Sequence, residues 1–134
     1  AEVHLTLRSW SVELFDRKCR ELEKKISDIC EKHSLRPETS WLEEFHANIN
    51  HPEAVSFIKR GAEKSELEKL EIKTPFKWGE DFGLFTQKYK GAMFGLGAGK
   101  EAPALHNPDY DFPDMLIPTG ISMFMNILKT IFEV

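Results

Sequence analysis

Residues 2–9, Glu2-Val3-His4-Leu5-Thr6-Leu7-Arg8-Ser9, alternate polar and apolar positions with a period of two. That period places Val3, Leu5 and Leu7 on one side of an extended chain and His4, Thr6 and Arg8 on the other. It predicts a half-buried strand. Ser11 suits a helix N-cap, and beyond it the period changes. From Val12 to His33, Phe15, Cys19, Leu22, Ile26 and Ile29/Cys30 recur at steps of three and four. This predicts an amphipathic helix with one apolar stripe facing a core. On its wet side Glu13/Arg17, Glu21/Lys25 and Asp28/Lys32 are spaced as i,i+4 pairs, each contributing about 0.2–0.5 kcal/mol.

Ser34 to Pro37 breaks that helix, and Thr39 to Ile49 resumes partial alternation through Trp41, Phe45 and Ala47, a second predicted strand. Asn48 to Pro52 is a turn into a helix from Pro52 to about Lys64, with proline in the first helical turn. Residues 65–70 read as a charged connector or a continuation of that helix. The composition then shifts toward Gly, Pro and aromatics. Ile72 to Phe76 reads as a short strand, Glu80 to Gln87 as a short helix after Gly79, and Gly91 to Gly99 as a buried strand running into a Gly-rich loop. Residues 100–118 are irregular and hold four of the seven prolines. A nearly all-apolar packed helix is expected from about Pro118 to Phe132. Strands alternating with helices predict an α/β fold.

The 134 residues, 41% hydrophobic and 30% charged, fit one modest domain or a piece of a larger one and exclude a disordered chain. With 18 basic against 22 acidic residues and a net charge of −4, the chain carries no electrostatic footprint for nucleic acid. No run approaches the roughly 18–20 apolar residues of a membrane span, so no membrane partner is expected. Two cysteines, Cys19 and Cys30, make no disulfide framework and suit a reducing cytoplasm. The sequence opens at Ala1 in strand-like residues without Met or signal peptide, which reads as a fragment or a processed chain.

Long loops in compact domains are usually functional, which directs attention to Gly99 through Phe112. That stretch joins His106 to Glu101, Asp109 and Asp111, with Asp114 just beyond. The adjoining Gly95-Leu96-Gly97-Ala98-Gly99-Lys100 is not a nucleotide loop. It lacks the third glycine of G-x-G-x-x-G at the required offset, and Glu101 stands where a P-loop needs Ser or Thr. Pro103 also prevents the helix whose N-terminus would hold a phosphate. Glycine here serves close approach of a substrate or another strand to the main chain. His106 is either a ligand for a zinc or manganese ion or a solvated loop residue. His4, His33, His46 and His51 have no partner at ligand spacing, and both cysteines sit on the apolar stripe, as core residues do. The residues alone lead to an α/β domain with a His- and Gly-bearing loop.

Four ordered strings carry more. Gly79-Glu80-Asp81-Phe82-Gly83, Gly91 through Gly99, Leu105-His106-Asn107-Pro108-Asp109-Tyr110-Asp111-Phe112, and Ile117-Pro118-Thr119-Gly120 together resemble one family. It is the dinuclear-metal amidohydrolases and peptidases of the aminoacylase/carboxypeptidase type, in particular the hippurate hydrolase and N-acyl-amino-acid amidohydrolase branch. Val3 through Arg8 followed by a long amphipathic helix is similar, more loosely, to that family's lid domain. The resemblance implies a fragment of a two-domain zinc-peptidase-like fold. Residues 1–48 would be part of the lid and dimerisation domain, and residues 49–134 the C-terminal part of the catalytic domain.

By the same resemblance, His106 would be a metal ligand, Arg8 would contact the substrate carboxylate with its charged fork, and Gly97 would line the substrate cleft. The full-length mechanism it implies uses two divalent ions (Zn, Mn, Ni or Co), a bridging water and a Glu general base acting on an amide carbonyl. The other metal ligands and that Glu match nothing in this chain. No catalytic residue is therefore expected here, and the chain alone should be inactive. The implied partners are a small N-acyl-amino-acid or dipeptide-like substrate, the missing N-terminal half of the enzyme, and further copies in a homo-oligomer. Two other readings remain: a stand-alone assembly module pairing through the strand edge at residues 2–9, and a degenerate pseudoenzyme.

Overall fold

The structure is a computed structural model that describes residues 2–76 and 80–133. The described residues form four helices: α1 (Val12–Lys32), α2 (Pro52–Lys64), α3 (Gly83–Thr86) and α4 (Leu116–Ile131). The chain divides into two compact units, Ala1–Ile49 with Thr74–Tyr89, and Asn50–Lys73 with Lys90–Val134.

In the first unit α1 starts where the sequence predicts. Ser11 is extended, and its Oγ accepts the Leu14 amide at 3.2 Å, satisfying one of the orphan donors of the first turn. The helix ends at a His33 cap whose N–H reaches the Cys30 carbonyl, and Ser34 turns away with φ 53°. The predicted stripe of Phe15, Cys19, Leu22, Ile26 and Cys30 is only half-buried, Ile29 is exposed, and no residue of α1 is fully buried. On the wet side Glu21 takes partners other than the expected Lys25. Lys18 reaches Glu21 at 2.6 Å and Arg17 reaches the same carboxylate at 3.8 Å. Trp41 Nε1 donates to Glu23 at 2.7 Å, tying the following segment to the helix. Further along, α3 packs through its buried Gly83 onto the main chain of His46 and Ala47, and Gln87 Nε2 donates to the Ala47 carbonyl at 3.4 Å.

The second unit is built on α2 against α4. Pro52 supplies the fixed φ of a first helical residue, and His51 Nδ1 caps the Glu53 amide at 3.3 Å. The two helices approach closely because Gly61 presents only backbone to Ile127. Around that contact lie the buried Ala62, Met123 and Thr130, and Asn126 Nδ2 donates to Ser65 Oγ at 2.8 Å. The packed helix expected over about 118–132 is buried on one side only. α4 is apolar over most of its circumference, but α2 covers only one side, so Ile121, Phe124 and Leu128 remain exposed.

None of the predicted strands at 2–9, 39–49, 72–76 and 91–99 forms among the described residues, which are helical or irregular. The alternation marks which side of a strand would be buried, but a strand forms only when a neighbour takes up its N–H and C=O groups. No strand ladder forms along these segments among the described residues, and Val3 and Leu5 are 77% and 68% exposed. The described residues therefore do not display the predicted α/β architecture. The short helix expected over 80–87 is confined to α3, and the Gly79 expected to precede it lies outside the described residues.

Candidate functional site

The Gly-rich segment and the histidine loop both belong to the second unit. Asn50 fixes where the glycine segment begins. Its Nδ2 donates to the Met93 carbonyl at 2.9 Å and its Oδ1 accepts the Met93 amide at 2.9 Å. One residue on, the His51 amide donates to the Gly91 carbonyl at 2.9 Å. A side-chain amide thus matches a strand-like donor and acceptor pair. From there the even positions face α4: the Phe94 ring lies 5.5 Å from that of Phe124, and Leu96 packs beside Gly120. The odd positions are bare. A Cβ built on Gly95, Gly97 or Gly99 would meet nothing within 4 Å. Gly97 is exposed, on a main chain with open space beside it.

Beyond Gly99, whose φ of 108° suits glycine, the chain enters tight turns. The Asn107 amide donates to the Ala104 carbonyl at 3.1 Å, and the Tyr110 amide to the Asn107 carbonyl at 3.0 Å. His106 occupies the third position of the first turn with φ 70°. Five described residues other than glycine have positive φ. Ser34, Glu66 and Glu133 each follow a helix cap, where the left-handed conformation is the ordinary ending. His106 and Glu43 have no helix end to account for it. A non-glycine residue held there costs on the order of 1–3 kcal/mol, and such strain clusters at binding and catalytic positions. The imidazole is exposed, as are Glu101, Asp109, Asp111 and Asp114.

Among the described residues no three His, Cys, Asp or Glu side chains converge on a point where a metal ion could sit. The described donors therefore do not make up a divalent-metal site by themselves. His106 is one exposed nitrogen ligand, which is compatible with such a site and far from sufficient for it. Arg8 is exposed in the first unit. Cys19 and Cys30 are both free and half-buried. Burial pushes the Cys19 thiol up, and the carboxylates of Asp16, Glu23 and Glu44 push it further against a smaller lowering by Arg20, which disfavours the thiolate.

Two positioning residues escape sequence reasoning. Asn50 looks like a turn residue, and only its contact with Met93 shows it as the clamp of the glycine segment. His51 stands directly before Pro52, which is the signal of an N-cap.

The sequence model of the peptidase family M20/M25/M40 matches residues 22–130, a span that holds all of α2 and α3, α4 up to its last residue, and the whole histidine loop. The chain belongs to the peptidase family M20/M25/M40. The chain is 28% identical over 120 residues to the Bacillus subtilis protein named "Putative amidohydrolase YhaA", covering 86% of this chain and 30% of that one. It is 25% identical over 118 residues to an N-acetyldiaminopimelate deacetylase of Lactobacillus acidophilus, covering 81% and 30%. An uncharacterized hydrolase of Staphylococcus epidermidis is 22% identical over 134 residues, covering 96% and 35%. The chain thus spans about a third of the length of the curated relatives it matches. No solved structure matches it.

Proposed function

We propose that this chain is the C-terminal portion, lid segment plus end of catalytic domain, of a metal-dependent amidohydrolase that cleaves the amide bond of N-acyl amino acids or small dipeptide-like substrates. The observation that supports this most is the family match over residues 22–130, which brackets a histidine held in a left-handed turn. In this reading His106 gives one imidazole to a divalent-metal site whose other donors lie on polypeptide beyond these residues. The open main chain at Gly97 lines the substrate cleft, and Arg8 binds the substrate carboxylate. In the longer polypeptide the segments at 2–9 and 91–99 find strand partners and complete an α/β fold. The enzyme works in the cytoplasm on small substrates, without nucleic acid or membrane.

The test is metal-supplemented hydrolysis of N-acetyl and N-benzoyl amino acids by the longest native polypeptide containing this chain, beside the 134-residue chain alone. Activity in the long form and none in the short form is expected. His106→Ala should abolish turnover of the long form and leave its folding intact, and Arg8→Ala should raise KM. Near-normal turnover in the His106 variant sinks its assignment as a ligand. An unchanged KM reduces Arg8 to a surface residue.

A further inference from the structure

Two consecutive tight turns share one residue. The Asn107 amide closes the turn 104–107 on the Ala104 carbonyl, and the Asn107 carbonyl accepts the Tyr110 amide to close the turn 107–110. In the first turn Leu105 keeps a negative φ and His106 takes 70°. That order is a type II turn, whose third position ordinarily belongs to glycine or asparagine. In the second turn Pro108 stands second, where its fixed φ is already the required one. Proline also disfavours the helical conformation at the residue before it, here Asn107. Packing does not supply the restraint. Residues 104–109 are all exposed, and the nearest half-buried residues are Pro103 and Tyr110, one on each side. A left-handed residue other than glycine persists where its surroundings over-determine it. With no burial at hand, the stiffness of the chain itself has to do so.

We propose that Pro108 is the positioning residue of His106. It fixes the second turn and keeps Asn107 out of the helical region. The Asn107 amide therefore stays on the Ala104 carbonyl, and the His106 main chain stays left-handed. The imidazole is then presented in one orientation before any metal ion arrives, and the loop need not be ordered during binding. The hold on His106 stands on these two turns alone. Its consequence for metal binding rests on the reading of His106 as a ligand.

In the 134-residue chain, selectively labelled at histidine, His106 should show the strong intraresidue HN–Hα NOE of a left-handed residue, and Pro108→Gly should weaken it. In the longest native polypeptide containing this chain, Zn²⁺ affinity is read by chelator competition. It should fall about tenfold in Pro108→Gly and about threefold in Pro108→Ala, with the helical circular dichroism unchanged. Only molecules with the turn already formed bind at full strength, which sets that loss. A rescue separates positioning from general stability. Proline is favoured at the second position of a type II turn, and the Leu105 amide donates no backbone hydrogen bond among the described residues. Leu105→Pro added to Pro108→Gly should therefore restore both the NOE and the affinity. Where Pro108→Gly does not fold, Pro108→Ala with and without Leu105→Pro makes the same comparison. Unchanged affinity in Pro108→Gly beside a large loss in His106→Ala overturns the positioning role and leaves the ligand reading standing. Unchanged affinity in His106→Ala overturns the ligand reading, and the consequence for metal binding with it. An NOE that survives Pro108→Gly, or a double variant without recovery, also overturns the proposal.

Discussion

Gly83 lies directly against the main chain of His46: a Cβ at position 83 would fall 2.8 Å from the His46 carbonyl carbon and nearer still to its oxygen. The Ala47 carbonyl carbon would be 3.2 Å away. These neighbours are backbone, so no rotamer change makes room. Gly83→Ala should therefore push α3 off the 46–47 segment and destabilise the first unit by about 1–3 kcal/mol, the usual range for overpacking. Urea unfolding followed by Trp41 fluorescence measures this, and an unshifted midpoint would disprove the close approach.

Gly61 sets two effects of opposite sign against each other. In an exposed helix interior, Gly→Ala gains up to about 1 kcal/mol of helix propensity. Here the new methyl would lie 2.6 Å from Ile127 Cγ1 and 3.2 Å from the Ile127 main-chain nitrogen. The side chain can rotate, but the backbone nitrogen can move only with α4. The clash should win, making Gly61→Ala net destabilising by about 1–2 kcal/mol. Adding Ile127→Ala should recover part of that loss, and a double-mutant cycle would read the coupling.

Asn50 makes a donor and an acceptor contact to the same residue, and chemistry can separate them. Asn50→Asp keeps the acceptor for the Met93 amide and loses the donor to its carbonyl, while Asn50→Ala loses both. Each bond contributes about 0.5–1.5 kcal/mol. Amide exchange at Met93 should therefore speed up strongly in the alanine variant and less in the aspartate variant. Equal exchange in all three forms would show that the clamp does not hold the glycine segment.

Acid should loosen the second unit through its lysine-paired carboxylates. Glu53 is held below the ordinary range by its 2.6 Å hydrogen bond and charge interaction with Lys90, and Glu63 and Glu71 by Lys69 and Lys59 in the same way. A carboxyl whose folded value is depressed contributes stability that is present above its unfolded value, near 4.3. That contribution fades as the pH falls through the lower folded value. All three pairs are exposed, so the effect per pair is small and salt-sensitive. An NMR titration should place the Glu53 midpoint below the ordinary Glu value, and Lys90→Met should return it there.

Much of the helical framework is legible in the sequence, and the reason is local. Ser11 caps α1 as its side chain allows, and α2 runs from Pro52 to Lys64 because the proline and the apolar period agree. α4 begins at Leu116, two residues before Pro118, because proline is tolerated within the first turn. The rest depends on distant partners. The alternation of Val3, Leu5 and Leu7 specifies a face but cannot supply a neighbouring strand. The apolar stripe of α1 predicts a core and gets only half of one. His106 stands out in the sequence by its motif, and the structure adds its left-handed turn. The donors that would complete a metal site around it are not among the described residues.

The contacts at Gly61 and Gly83 have a consequence for how this chain tolerates drift. Where main chain meets main chain, the smallest residue is the least replaceable. Leu42 and Leu70, at 81% and 86% exposure, have few neighbours to offend. A saturation scan for abundance of the 134-residue chain would thus invert the familiar ranking. The glycines of α2 and α3 would be the intolerant sites, and several large aliphatic positions would accept polar replacements freely.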